Sequence, residues 1–137
     1  MKNKIFSFQY TISLSDSDIS GLIYFPKIFD ISVQVLEAFL ESKQLPLRQF
    51  FQKGIQMPIV QALANFHSPL YFGEQIEINL LINRLGNSSI SLRYQFLNSK
   101  GNLCAETTIT HVTVDKNNQS QSIVIPKELQ AIFCSAV

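Results

Sequence analysis

Asp16-Ser17-Asp18-Ile19-Ser20-Gly21-Leu22-Ile23-Tyr24-Phe25-Pro26 is the stretch on which the fold turns, because the hydrophobic period changes across it. Before it, Ile5 to Leu14 alternates, with Phe6, Phe8, Tyr10, Ile12 and Leu14 on one face. That period of two is the signature of a half-buried strand. After it, Lys27 to about Ser42 repeats at 3.6 residues: Phe29, Val33, Leu36 and Leu40 form one stripe, widened by Ile28, Val35 and Phe39. Lys27, Asp30, Gln34, Glu37 and Glu41 fall mostly on other faces. Pro26 stands where the helix begins, its fixed φ already suited to the first helical position. An apolar face this broad predicts a helix set deeply against a sheet.

Downstream the pattern is almost all strand. Pro46 to Phe51 reads as a short second helix closed by Lys53-Gly54. Ile59 to His67, Gln75 to Leu85, Ser89 to Leu97 and Leu103 to Val114 read as strands, separated by Ser68-Pro69, Gly86-Asn87-Ser88 and Ser99-Lys100-Gly101-Asn102. Lys116-Asn117-Asn118 then leads to a last extended piece, Ser122 to Ile125, and Pro126 to Phe133 reads as a terminal helix. A strand, one long helix and then a run of antiparallel strands define an α+β domain with the helix on one sheet face. No repeat or linker interrupts it, so residues 1–137 are expected to form one domain.

Composition narrows the functional classes. Hydrophobic residues make up 46% and charged residues 15%, the latter well under the usual level of about 25%, which excludes disorder for most of the chain. Lys+Arg 11 against Asp+Glu 10 leaves a net charge of +1, without the clustered basic face that a nucleic-acid reader needs. No run of about 18 apolar residues is present to span a membrane. Met1-Lys2-Asn3-Lys4 has the charge of a signal peptide's start, but an alternating strand follows it instead of an apolar core, so the expected location is cytoplasmic. Cys104 and Cys134 do not make a disulfide framework or a metal spacing, and both read as small buried hydrophobes.

The opening stretch also carries the chemistry. It places two carboxylates and a glycine between the first strand and the helix. A carboxylate with an ordinary pKa near 3.9 is ionised at neutral pH, ready to act as base or nucleophile. Gly21 gives the backbone access to left-handed or close-approach conformations. The helix start offers unpaired N–H groups and a partial positive charge of about +0.5. Together these are the minimum for attacking a carbonyl and holding the resulting oxyanion, where losing one donor costs roughly 3–4 kcal/mol. An Asp before a helix also serves as a cap or an Asx turn, and spacing alone leaves that reading open.

The pattern Asp-x-Asp-x-x-Gly-x-x-Tyr-Phe-Pro resembles the hot-dog thioesterases of the 4-hydroxybenzoyl-CoA thioesterase type, and the resemblance runs nearly end to end. Gly54-Ile55-Gln56-Met57-Pro58-Ile59-Val60 is similar to the family's segment leading into its second strand. Phe66-His67-Ser68-Pro69-Leu70-Tyr71-Phe72-Gly73-Glu74 fits its F-x-x-P-x-x-x-G-[DE] turn. Ser89, Thr110-His111-Val112 and Ile125-Pro126 also match. Within the family the likeness is nearest to the 1,4-dihydroxy-2-naphthoyl-CoA thioesterases of phylloquinone and menaquinone synthesis. The resemblance implies a curved antiparallel sheet of five or six strands wrapped on one long helix. It implies hydrolysis of an acyl-CoA, and protomers paired edge to edge as dimers or dimers of dimers, with active sites at the interface. No metal or redox cofactor is implied.

Carried over by position, the catalytic aspartate falls on Asp18, as base or nucleophile, and the backbone oxyanion donor falls on Phe25. Asp16, Gly21 and Tyr24 complete the active-site loop, Asp16 as a turn-stabilising residue. Substrate contacts are implied at Phe29, Pro58, Ser89 and Arg84. Relatives often hold CoA phosphates with a basic hairpin; here the corresponding Leu85-Gly86-Asn87-Ser88-Ser89 has only Arg84 and Arg93 nearby. Two alternatives stay in view: a thioesterase for another aromatic or short acyl group, and an acyl-CoA-binding module without hydrolysis.

Other candidates read as structural. Glu37 and Glu41 are one turn apart and read as the solvated side of the helix. His67 and His111 read as satisfied strand histidines, since a metal would need further ligands. Hot-dog dehydratases place a catalytic His where Tyr24 stands, which argues against dehydration. Phe25, Phe29, Phe66 and Phe72 are expected to line an aromatic acyl pocket.

Overall fold

The computed structural model describes residues 4–134, so Met1, Lys2 and Asn3 of the basic start lie outside the described residues. In chain order the elements are β1 (Lys4–Thr11), α1 (Lys27–Ser42), α2 (Leu47–Gln52), β2 (Ile55–Gln56), β3 (Ile59–Phe66), β4 (Gln75–Leu85), β5 (Ser89–Leu97), β6 (Leu103–Val112), β7 (Val114–Asp115), β8 (Asn118–Ser122) and α3 (Lys127–Cys134). Five strands form one antiparallel sheet in the order β1-β4-β5-β6-β3. This is the smaller of the two strand numbers, five or six, that the resemblance implies. Val114–Asp115 and Asn118–Ser122 join Ile55–Gln56 in a small second sheet, β2-β7-β8, and Ile123–Ile125 lies outside any strand.

Period two works as the sequence predicts. Phe6, Phe8 and Tyr10 pair with Leu80, Ile78 and Ile76, and these inward positions build the core against α1. Leu14 departs from the strand's face and is exposed, because the backbone leaves the strand after Thr11 and turns through a short 3-10 segment, Leu14–Asp16.

Helix α1 starts after Pro26 and ends at Ser42, as its spacing predicts. Its buried face is Ile28, Ile31, Ser32, Val35, Leu36, Phe39 and Leu40, while Phe29 and Val33 are only half-buried. The predicted stripe is therefore displaced around the helix. Each fully buried apolar side chain there is worth about 1.5–3 kcal/mol relative to exposure. Ser32 is the polar exception on this face, and it is satisfied: its hydroxyl donates to Ile28 O at 2.8 Å and shares a 2.7 Å hydrogen bond with Thr107 Oγ1 of β6. At the other end, the Phe39 ring packs on Phe6 at 5.6 Å and Phe133 at 5.8 Å, tying β1, α1 and α3 together.

Strand β3 is an edge strand with a largely exposed surface. Ile59, Val60, Leu63 and Phe66 are all about half exposed on it. Cys104 is buried as expected, but Cys134 is exposed on α3, where its neighbour Phe133 takes the inward position of the helical turn.

Candidate active site

Two short arms carry the predicted loop. Ser17 pairs with Ile23, and Leu22 pairs with Tyr71, both antiparallel. Asp18 N–H donates to Leu22 O at 2.8 Å, and Gly21 N–H donates back to Asp18 O at 3.1 Å. Gly21 closes this turn with φ of +84°, a left-handed conformation that costs an L-residue roughly 1–2 kcal/mol.

Asp18 projects from the turn and is exposed. Its Oδ1 accepts the Ser20 hydroxyl and, at 2.8 Å, the Ser20 N–H. This is the i to i+2 Asx turn that the spacing left open. The Ser20 hydroxyl, and then its N–H, hold the Asp18 carboxyl below the usual carboxylate range, so it is ionised at neutral pH.

Asp16 behaves in the opposite way and is buried. Its Oδ2 accepts three hydrogen bonds: Tyr10 O–H at 2.6 Å, Ser13 N–H at 2.9 Å and Ser13 Oγ at 2.9 Å. Burial pushes the carboxyl up, but these donors and the Lys27 charge together hold it below its ordinary value. Burial and the bond to Asp16 push the Tyr10 phenol up to about 12. Asp16 thus ties the turn at Leu14–Asp16 to the end of β1. Its partners Tyr10 and Ser13 were not foreseen; the signal was the inward position of Tyr10 at the end of the β1 alternation.

The second arm leads to α1. Ile23 N–H donates to Leu70 O at 2.9 Å, Tyr24 N–H to Asp16 O at 2.7 Å, Lys27 N–H to Tyr24 O at 2.8 Å, Ile28 N–H to Phe25 O at 3.2 Å and Phe29 N–H to Pro26 O at 3.1 Å. Pro26 has no N–H. Across residues 23–29 of the described chain, only the Phe25 N–H is present without a backbone acceptor.

A cleft of about 330 Å³ opens beside Phe25, lined also by Leu22, Ile23, Phe66, His67, Ser68, Pro69 and Leu70. Ligand sites commonly have about 300–1,000 Å³ and mostly apolar walls. Of the four phenylalanines expected in an acyl pocket, Phe25 and Phe66 line this cleft. Phe72 is exposed on the neighbouring turn, and Phe29 packs against the core.

Three other predicted residues sit elsewhere in the protomer. Pro58 O accepts Val112 N–H at 3.1 Å, Ser89 pairs with Val112, and Arg84 pairs with Ser91 nearby. All three are at the end of the sheet where β3 begins, whereas Phe66, at its other end, meets Phe25. Eight residues at about 3.3 Å each put roughly 25 Å between Pro58 and the cleft. Within one protomer these residues do not reach Asp18.

The structural candidates resolve as follows. Glu37 and Glu41 are exposed, and Glu41 pairs with Arg48 at 2.7 Å. His67 lies just past β3, exposed, with Nε2 3.8 Å from Glu106. His111 is buried, with Nδ1 3.1 Å from Met57 O, but its Nε2 has no partner among the described residues. The expectation of a fully satisfied histidine is corrected there, because the apolar packing around β6 leaves that nitrogen facing no donor. No group of three His, Cys, Asp or Glu among the described residues is placed to hold a metal ion. No described helix is long and apolar enough to cross a membrane.

A long helix cradled by this antiparallel sheet is the hot-dog arrangement, and the loop beside the helix start holds a carboxylate and an open amide. The model of the thioesterase-like superfamily matches residues 12–133, and the chain belongs to that family of thioester hydrolases. It is 34% identical over 115 residues to the 1,4-dihydroxy-2-naphthoyl-CoA hydrolase of Gloeothece citriformis, covering 82% of this chain and 80% of that one. The enzyme of the same name from Thermosynechococcus vestitus is 30% identical over 130 residues, covering 94% of this chain and 88% of its own. The fold is shared with the crystal structure of a 1,4-dihydroxy-2-naphthoyl-CoA thioesterase from Synechocystis, with a TM-score of 0.88, 23% identity and coverage of 94% and 95%.

Proposed function

We infer that this chain hydrolyses 1,4-dihydroxy-2-naphthoyl-CoA, with one water, to 1,4-dihydroxy-2-naphthoate and CoA, as a cytoplasmic step in phylloquinone or menaquinone synthesis. The residues act as one domain. The substrate assignment is supported by the named relatives at 30% identity and above over most of the chain. The observation that carries the chemistry is the pairing, on one loop, of an ionised Asp18 with the open Phe25 amide.

In this reading the acyl group enters the Phe25–Phe66 cleft and its carbonyl oxygen lies toward Phe25 N–H. Asp18 either activates water or attacks the thioester carbon to form an anhydride that water then opens. As negative charge develops on the carbonyl oxygen, the amide and the helix dipole stabilise it, and the tetrahedral centre collapses with loss of the CoA thiolate. Protonation of that thiolate completes the reaction. Labelling with H₂¹⁸O in a single turnover identifies an anhydride opened at the Asp18 carbonyl, since that route alone leaves label in Asp18.

The site is completed by a second copy. Antiparallel pairing of β3 with its own copy about a twofold axis brings the Pro58, Ser89 and Arg84 end of one protomer onto the Asp18 loop of the other. Support comes from the half-exposed apolar residues of that edge, since such edges need covering. Ile19, Tyr24, Phe25, Tyr71 and Phe72, all exposed around the loop, need the same cover. Two such dimers pair as a homotetramer.

Thiol release tests the reading, with dihydroxynaphthoyl-, hydroxybenzoyl-, benzoyl- and hexanoyl-CoA offered to wild type and to Asp18→Asn. The expected result is turnover of the naphthoyl ester, reduced at least about 10³-fold in the variant. Equal turnover of several esters overturns the substrate, and no turnover by folded protein leaves an acyl-CoA-binding module.

A further inference from the structure

Asp16 is the one buried carboxylate among the described residues, and the proposed chemistry gives it no role. A carboxylate is expensive to bury unless its oxygens are hydrogen-bonded. Here the cost is met on one atom: Oδ2 takes Tyr10 O–H from β1 together with Ser13 N–H and Ser13 Oγ. The 2.6 Å bond from the phenol is in the range of charge-assisted hydrogen bonds, which are about twice as strong as neutral ones. Stabilising a three-residue turn does not by itself require a buried charge, because a neutral cap serves nearly as well.

The backbone of the same residue supplies the reason. Asp16 O accepts Tyr24 N–H at 2.7 Å, and Tyr24 immediately precedes the amide that has no acceptor. Asp16 therefore joins two pieces of structure at one residue. Its side chain is locked to the end of β1, and its carbonyl holds the approach to α1. The Tyr24 amide is held by Asp16 O and the Tyr24 carbonyl by Lys27 N–H at 2.8 Å, so Tyr24 is fixed at both ends, and the peptide it shares with Phe25 carries Phe25 N–H. Resting on the proposed thioester hydrolysis at Asp18 and Phe25, we propose that Asp16, anchored by Tyr10 and Ser13, is a positioning residue that aims the Phe25 N–H at the developing oxyanion. It does not touch the substrate.

The test compares Asp16→Ala, Asp16→Asn, Tyr10→Phe and Asp18→Asn with wild type. The readouts are kcat and KM on 1,4-dihydroxy-2-naphthoyl-CoA, and calorimetric affinity and stoichiometry for a non-cleavable thioether analogue. The stoichiometry counts competent sites, so kcat is expressed per site that binds. Misaiming an oxyanion donor costs up to about 10²–10³ in kcat. Asp16→Ala is expected to lose about 30-fold or more, with KM and analogue affinity within about threefold, because a ground-state carbonyl draws little from that donor. Asp16→Asn keeps an oxygen at the Oδ2 position but loses the charge that strengthens the Tyr10 bond, and is expected to recover only part of that loss. Tyr10→Phe, which removes one bond of three, is expected to fall about 5- to 10-fold.

A kcat within threefold of wild type in both Asp16→Ala and Tyr10→Phe, with Asp18→Asn inactive, overturns the positioning role and leaves the hydrolase intact. Full activity in Asp18→Asn overturns the underlying reading instead. Should Asp16→Ala fail to bind the analogue, Tyr10→Phe decides on the same threefold criterion. A rise in KM and loss of analogue affinity at unchanged kcat also overturns the proposal, because Asp16 would then serve binding.

Discussion

Replacing Leu63 by glutamate tests the composite site through its geometry. Leu63 lies near the middle of the edge strand β3 and is 53% exposed in the protomer. Fully burying a leucine is worth about 1.5–3 kcal/mol, so covering its exposed half is worth about 1 kcal/mol per copy. A twofold interface counts this twice, giving about 2 kcal/mol. Two glutamates near the axis repel each other and must also be desolvated, adding about another 2 kcal/mol. The sum, about 4 kcal/mol, weakens the dimer by about 10³-fold. Sedimentation velocity over a concentration series reads the association, and thiol release in the same samples reads the site. Leu63→Glu is expected to sediment as a folded monomer where wild type is associated, and to lose turnover in step, because Pro58, Ser89 and Arg84 no longer meet a partner's Asp18. A monomer with wild-type turnover refutes the composite site. An unchanged assembly refutes the choice of edge.

Two further predictions concern stability. Tyr94 is fully buried, and its hydroxyl has no partner among the described residues. An unsatisfied buried hydroxyl costs about 1–3 kcal/mol, so Tyr94→Phe is expected to raise stability by about 1 kcal/mol in urea unfolding, and a lower midpoint contradicts this. For His111, burial holds the imidazole below its ordinary value, only partly opposed by the hydrogen bond to Met57. The unfolded chain takes up a proton near pH 6.5 while the folded chain resists it. Stability from this residue is therefore full above about pH 6.5 and declines as pH falls through that value. Urea midpoints between about pH 8 and 5.5 should show the decline, and His111→Asn should flatten it; an equal slope in both proteins counts against the assignment.

Local patterns made much of this molecule legible. The exchange of period two for period 3.6 across residues 16–26 placed α1 and the start of β1, although the strand ends at Thr11 and not at Leu14. Glycine and asparagine turns placed β4 and β5 equally well. The turn at Gly21 and the helix start after Pro26 were readable because a glycine and a proline mark them locally, whereas the roles given to Asp18 and Phe25 came from the family pattern. The buried face of α1 was less legible. Periodicity gives the angle of a stripe but not its rotation against a curved sheet, so Ile31 and Ser32 were missed and Phe29 overstated. The departure of Ile123–Ile125 from the main sheet was hidden for a similar reason, since strand propensity does not name the neighbour.

Local sequence, then, determined the kinds of elements, their order and the gathering of two carboxylates, a glycine and a helix start in one loop, because these depend on neighbouring residues and on period. Tertiary structure decided which of two aspartates is buried, that across residues 23–29 only the Phe25 amide is left without a backbone acceptor, and that Pro58, Ser89 and Arg84 lie at the opposite end of the sheet from the Phe25–Phe66 cleft. Those properties are set by hydrogen bonds and strand register between segments distant in the chain: Tyr10 with Asp16, Leu70 with Ile23, and β3 with β6. Pairing across such distances follows from how the whole sheet closes on its helix, which local periodicity does not encode.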